Sequence, residues 1–85
     1  MVKIKRIVID SLKPHETEKL DLSKALCSIE GVEEVKLSVT EVDEMTETIR
    51  IIINGEDVDF DGVHKVFNDF GTAIRSIDEI DVKRK

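Results

Sequence analysis

What most constrains the fold of this chain is a change of apolar period that happens twice and stops at a glycine both times. In segment 17–30, Leu22, Ala25, Leu26 and Ile29 recur at steps of three and four, which puts them on one side of a helix. In segment 60–70, Phe60, Val63, Phe67 and Phe70 repeat at three, four and three, with Val66 beside them. Gly31 and Gly71 follow directly, and each is predicted to be the left-handed residue that ends its helix. Glu16 and Glu18 fall near the start of the first helix, where the macrodipole favours acids, and Asp59 is placed to cap the second.

The segments between the helices read as strands. "KIKRIVIDSL" at 3–12 is rich in Ile and Val and is ended by Pro14. "EVKLSVTEVD" at 34–43 turns Val35, Leu37 and Val39 one way and Lys36, Ser38 and Thr40 the other. "ETIRIIIN" at 47–54 follows a polar turn at Asp43–Thr46, giving a hairpin, and Asn54-Gly55 breaks it. In "TAIRSIDEIDV" at 72–82 the apolar residues Ile74, Ile77 and Ile80 are spaced by three, so simple alternation fails and a bulge is expected.

The order β-α-β-β-α-β with right-handed crossovers predicts an α+β ferredoxin-like sandwich: a four-stranded antiparallel sheet with two helices on one face, in a single domain spanning 1–85. Its core is expected to hold Ile7, Ile9, Leu22, Leu26, Ile29, Val35, Leu37, Val39, Ile49, Ile51, Ile53, Val63, Phe67 and Phe70. A chain of 85 residues buries only about 60% of its unfolded surface, so a partner subunit is an expected source of further burial.

Several functions fall to composition. Thirteen Lys and Arg against 19 Asp and Glu give a net charge of −6, which disfavours a phosphate-tracking nucleic-acid binder. The basic residues gather at the two ends, Lys3, Lys5 and Arg6 with Lys83, Arg84 and Lys85, and read as solvated termini. Cys27 stands alone, so there is no internal disulfide. No apolar run approaches the ~20 residues of a membrane span, and "MVKIKRIVID" is unlike a signal peptide; a cytoplasmic protein is expected.

The cargoes common on this fold meet the same resistance. The first strand–helix loop, "SLKPHET", lacks the paired thiolates of a metal carrier and the glycines of an anion cradle. The first and third strands carry no aromatic for stacking on RNA bases. "HETE" at 15–18 is not a zinc-hydrolase motif, His15 and His64 read as surface or packing residues, and Cys27 reads as a buried, inert thiol. Nothing sets an acid beside a nucleophile, so no enzyme is expected.

Carboxylates remain. Glu41, Asp43, Glu44 and Glu47 crowd the hairpin, while Asp78, Glu79 and Asp81 crowd the last strand; oxygen-rich clusters suit hard cations such as Ca2+. The metal candidates are Glu41, Asp43, Glu44 and Asp78, with Glu41 and Asp43 pointing to one face by period two; one chain alone lacks a complete cage, so the site is expected to be shared between subunits. Asp10 is expected to pair with Arg50 across the open sheet face. The second strand is a long edge without Pro or Gly, and Val8 and Ile52 point to the open face; both features predict self-association, through unlike edges into a ring or like edges into a dimer.

The phrases "LKPHE" (12–16), "IEGVEEVKLSVTEVDEMTE" (29–47), "NGEDVDFD" (54–61) and "FGTAIRSIDEI" (70–80), in that order, resemble the small archaeal family catalogued as domain of unknown function 211 over nearly the whole length. The resemblance implies an archaeal cytoplasmic protein with a ferredoxin-like fold, ring-shaped homo-oligomers and bound calcium, and it assigns no reaction. Thr17 stands where similar chains start the helix with Pro, which leaves the first-helix boundary open. Two functions follow as expectations: a non-enzymatic, ring-forming module that binds Ca2+ through surface carboxylates, or a domain sensing an amino acid or anion near Gly31–Glu34.

Overall fold

A computed structural model describes residues 1–84. It contains β1 (Val2–Pro14), α1 (Lys19–Cys27), β2 (Val32–Val42), β3 (Thr46–Gly55), α2 (Phe60–Asp69) and β4 (Ala73–Arg84). The sheet order is β2-β3-β1-β4 and every neighbouring pair is antiparallel. This is the ferredoxin-like α+β arrangement, with β2 and β4 as its edges. Gly31 at φ 86° and Gly71 at φ 65° take the left-handed conformation the helix ends require. Asp59 holds the N-cap position, but its side chain makes no capping bond.

The helix-facing residues of the sheet form the core with Leu22, Leu26, Val63 and Phe67. Ile7, Ile9, Ile49, Ile51 and Ile53 are buried there, joined by Val58 from the loop after β3, which the sequence pattern did not mark. Ile29, Val35, Leu37 and Phe70 pack at its rim. Val39 departs from expectation: it is 39% exposed. The cause is helix length. The spacing predicts a first helix over 17–30, but α1 has nine residues and α2 has ten. They rise about 14 and 15 Å, whereas β2, with eleven residues, and β4, with twelve, run roughly 35–40 Å. The strands overhang their cover, and the longest dimension of the molecule is 44 Å.

The overhang leaves two apolar strips on the helix side of the sheet. On β2, Val39 and Val42 lie opposite Ile49 and Glu47 towards the hairpin. On β4, Ile77, Ile80 and Val82 lie opposite Ile9, Ile7 and Ile4 towards the other end. Val42 is 63%, Ile80 55% and Val82 52% exposed. The bulge expected in β4 is present: its pairing with β1 shifts register at three places, two with an extra residue in β4 and one with an extra residue, Lys5, in β1.

The open face corrects the sequence reading. Val8 is fully buried and Ile52 half-buried. Arg6 Nε donates to Glu79 Oε2 at 2.9 Å and Nη1 to Asn54 Oδ1 at 3.3 Å, so one guanidinium reaches from β1 to both neighbouring strands beside Val8. A long cation thus shelters the apolar residue beneath its stem. Asp10 also finds a different partner: Arg50 is its neighbour in register, yet the guanidinium within ion-pair range is that of Arg75, at 4.0 Å.

Candidate functional site at the hairpin end

Pro14 has no N–H to continue the ladder, so β1 stops there and the chain turns, with Thr17 N–H donating to Pro14 O at 3.1 Å. Lys13, one residue earlier, follows Ile7, Ile9 and Ser11 on the buried side and is 1% exposed. Its ammonium donates to Pro14 O and Thr17 O, both at 2.8 Å, and stands 3.1 Å from Glu47 Oε1. Two of its donors are met by carbonyls, and the Glu47 carboxylate faces the same ammonium as an ion pair. A lysine so engaged is a strut for the loop.

Glu47, at the start of β3, collects the charge around it. Lys19 Nζ is 3.7 Å from Oε1 and His15 Nδ1 is 3.6 Å from Oε2. The hydrogen bond from Lys13, with the charges of Lys13, Lys19 and His15, holds its carboxyl below the ordinary 4.5, against the opposing effect of burial. Glu47 is therefore spent on its own chain's cations, which removes it from the acids crowding the hairpin. His15 ties the loop down at two more points. Its backbone N–H donates to Met45 O at 3.3 Å, and Nε2 lies 2.6 Å from Asp43 O. A carbonyl only accepts, so Nε2 carries a proton there. Thr17 Oγ1 adds a bond to Phe70 O at 3.0 Å, fastening the loop to the end of α2.

The expected metal residues are placed apart. Glu41, Asp43 and Glu44 are exposed around the hairpin turn, which Asp43 N–H closes on Thr46 O at 2.8 Å. A register shift between Val39 and Glu41 puts Glu41 opposite Thr48, and β2 ends at Val42, so strict alternation does not carry through to Asp43. Asp78 sits in β4 on the far edge and accepts from Ser76 Oγ at 2.8 Å. It lies about 17 Å along the strands from the turn. Among the described residues, no three His, Cys, Asp or Glu side chains come together as a metal-holding group.

One other expectation changes. Cys27 is exposed, its Sγ 3.9 Å from Glu33 O, because Leu22 and Leu26 take the core-facing positions of α1 and Cys27 lies one step round from them. At Gly31 the backbones are close-packed: a Cβ there would overlap the Asp57 carbonyl, and one on Gly55 would overlap that of Gly31. His64 packs edge-on against Phe60, ring centroids 4.8 Å apart, as a packing residue does. The Lys13–Glu47 strut was missed by sequence reasoning. Its signal was present: a lysine in phase with Ile7 and Ile9 on an apolar face needs a buried acceptor.

The family model described as uncharacterized ArCR, domain of unknown function 211, matches residues 5–85. The chain belongs to this family. An uncharacterized protein of the archaeon Methanocaldococcus jannaschii is 38% identical over 82 residues, covering 96% of this chain and 84% of that protein. For domain of unknown function 211 this chain thus supplies a ferredoxin-like frame, a stapled hairpin end and two overhanging edge strands. No helix is long and apolar enough to cross a membrane among the described residues.

Proposed function

We propose that the protein is a non-enzymatic module that assembles with copies of itself into a closed ring through unlike strand edges. The observation that carries this reading is the pair of uncovered apolar strips, Val39 and Val42 on β2 and Ile77, Ile80 and Val82 on β4. Bare edges bearing apolar side chains favour strand addition. Within the chain β2 and β4 run in opposite directions, as the order β2-β3-β1-β4 with antiparallel neighbours requires. Rotation about an axis along the strands therefore brings β4 of one copy beside β2 of the next as an antiparallel pair. Both strips lie on the same side of the sheet, so one junction covers both. A two-fold dimer of like edges would leave the other edge of each copy bare; a ring leaves none.

Calcium enters the same reading at the junction. Asp78 stands on one edge strand, while Glu41, Asp43 and Glu44 stand on or beside the other. Rotation about the strand direction leaves Asp78 about 17 Å along the strands from the turn, so a junction site would draw the oxygen ligands Ca2+ takes from Glu41, Asp43 and Glu44 without Asp78. A role in the cytoplasm belongs to this proposal too. Native mass spectrometry with and without chelator tests it: the expected result is a single closed oligomer of more than two chains that loses bound Ca2+ and weakens in chelator. A monomer at micromolar concentration in both conditions overturns it.

A further inference from the structure

The geometry points to a binding site for a small, multiply charged phosphate anion at the end of the molecule opposite the hairpin. There β1 and β4 form a two-stranded overhang, and Lys3, Lys5, Lys83 and Arg84 line a cleft of about 300 Å3 with Glu56. Lys3 is the direct cross-strand partner of Lys83, and Arg84 is the partner of the preceding residue, Val2. Like charges directly opposite one another on a sheet repel. That pairing stands in a chain with a net charge of −6, in which acids to relieve it were plentiful.

One acid lines the cleft, and it pairs with Lys5. Glu56 Oε1 accepts from Lys5 Nζ at 2.8 Å. The hydrogen bond and charge of Lys5, with the charges of Lys3 and Lys83, hold its carboxyl below the ordinary value. Lys5 is consumed by this pair. Among the described residues, no carboxylate lies within ion-pair range of Lys3, Lys83 or Arg84. Lys5 reaches Glu56 from the bulge between Ile4 and Arg6, which re-aims the side chain away from regular pairing.

Three cations without a carboxylate in ion-pair range among the described residues, beside an open cleft, match a compact anion carrying several charges. The volume is at the lower end of small-ligand sites, about 300–1,000 Å3. It is too short to track a nucleic-acid backbone, and no aromatic side chain lines it for base stacking. Tripolyphosphate is the probe of choice, with inorganic phosphate as the weaker member of the series.

The experiment is titration of the full chain with tripolyphosphate and with phosphate at constant ionic strength, read by calorimetry and by amide chemical shifts. Saturable binding of one tripolyphosphate per chain is expected, tighter than phosphate, with shifts confined to residues 2–5, 56 and 82–84. Lys3→Gln and Lys83→Gln should each weaken it roughly tenfold, the equivalent of one charge-assisted hydrogen bond. Lys83→Arg keeps the charge and should retain binding, which separates loss of charge from loss of fold. Absence of saturation, or unchanged affinity in the Lys3→Gln/Lys83→Gln double variant, overturns the inference. So does tighter binding of a single-stranded oligonucleotide than of tripolyphosphate. Subunit number plays no part in any of these readouts.

Discussion

At Gly31 the backbone turns through φ 86° while the carbonyl of Asp57 occupies the space a β-carbon would need. Gly71 has a similar φ of 65° but faces open space. The pair separates two costs of an added methyl. Gly71→Ala meets only the left-handed backbone penalty, about 1 kcal/mol. Gly31→Ala meets that penalty together with a clash against backbone that cannot step aside, and should lose more than about 2 kcal/mol. Urea unfolding of the two variants measures the difference; equal losses would contradict the close packing at Gly31. Glu47 offers a second residue-scale check. Its carboxyl is lowered in the folded chain, so the unfolded state binds the proton more readily. The stabilisation is complete above the unfolded value near 4.5 and disappears as pH falls through the lower folded value. Glu56 contributes in the same direction through Lys5. Unfolding midpoints should hold steady from neutrality to about pH 5 and then fall, and Glu47→Gln should flatten part of that acid limb.

Among the elements, those governed by local spacing were legible in the sequence. The isoleucines of β1 and β3 and the phenylalanines of α2 announce their partners by period alone, and Gly31 and Gly71 announce the stops. The failure of alternation at Ile74, Ile77 and Ile80 likewise marked the irregular β4. Helix length was not legible, because apolar spacing continues to Ile29 although α1 ends at Cys27, where Ser28 closes the last turn on Lys24 O. That difference decides how much strand is left bare. The shelter over Val8 was also hidden, since it depends on Arg6 reaching two other strands. The acid set was visible as composition, but its division between opposite edges is a property of topology. Hydrogen exchange tests what the bare edges do. On an edge strand, half of the amides point away from the sheet and exchange quickly unless another strand meets them. In the assembled protein the outward amides of β2 and β4 should be protected. In an Ile80→Lys variant those amides should exchange at least about tenfold faster, while those of Ile7, Ile9, Ile49 and Ile51 stay slow. Equal exchange in both proteins would mean that neither edge is joined.

Taken whole, the molecule is a long, narrow slab, 44 Å by 21 Å by 17 Å, with different chemistry on each edge and at each end. Acids surround the hairpin turn, cations line the opposite overhang, and the two apolar strips sit on different edges. Because the strips sit on different edges, a head-to-tail contact would use both, where a two-fold one would use a single edge. A mixing experiment distinguishes them. Val42→Lys blocks the β2 edge and Ile80→Lys blocks the β4 edge; both residues are exposed, so the fold of each chain should survive. In a ring built from β2–β4 junctions each variant alone is reduced to short, weak species, because every junction needs both edges. Mixed in equal amounts they retain one intact pairing, the free β4 edge of the first against the free β2 edge of the second, and should form a 1:1 heterodimer that grows no further. A dimer of like edges behaves otherwise: one variant keeps its dimer unmixed and the other loses it. Light scattering of the three samples reads the outcome directly, and a persistent homodimer of either variant would rule out the unlike-edge ring.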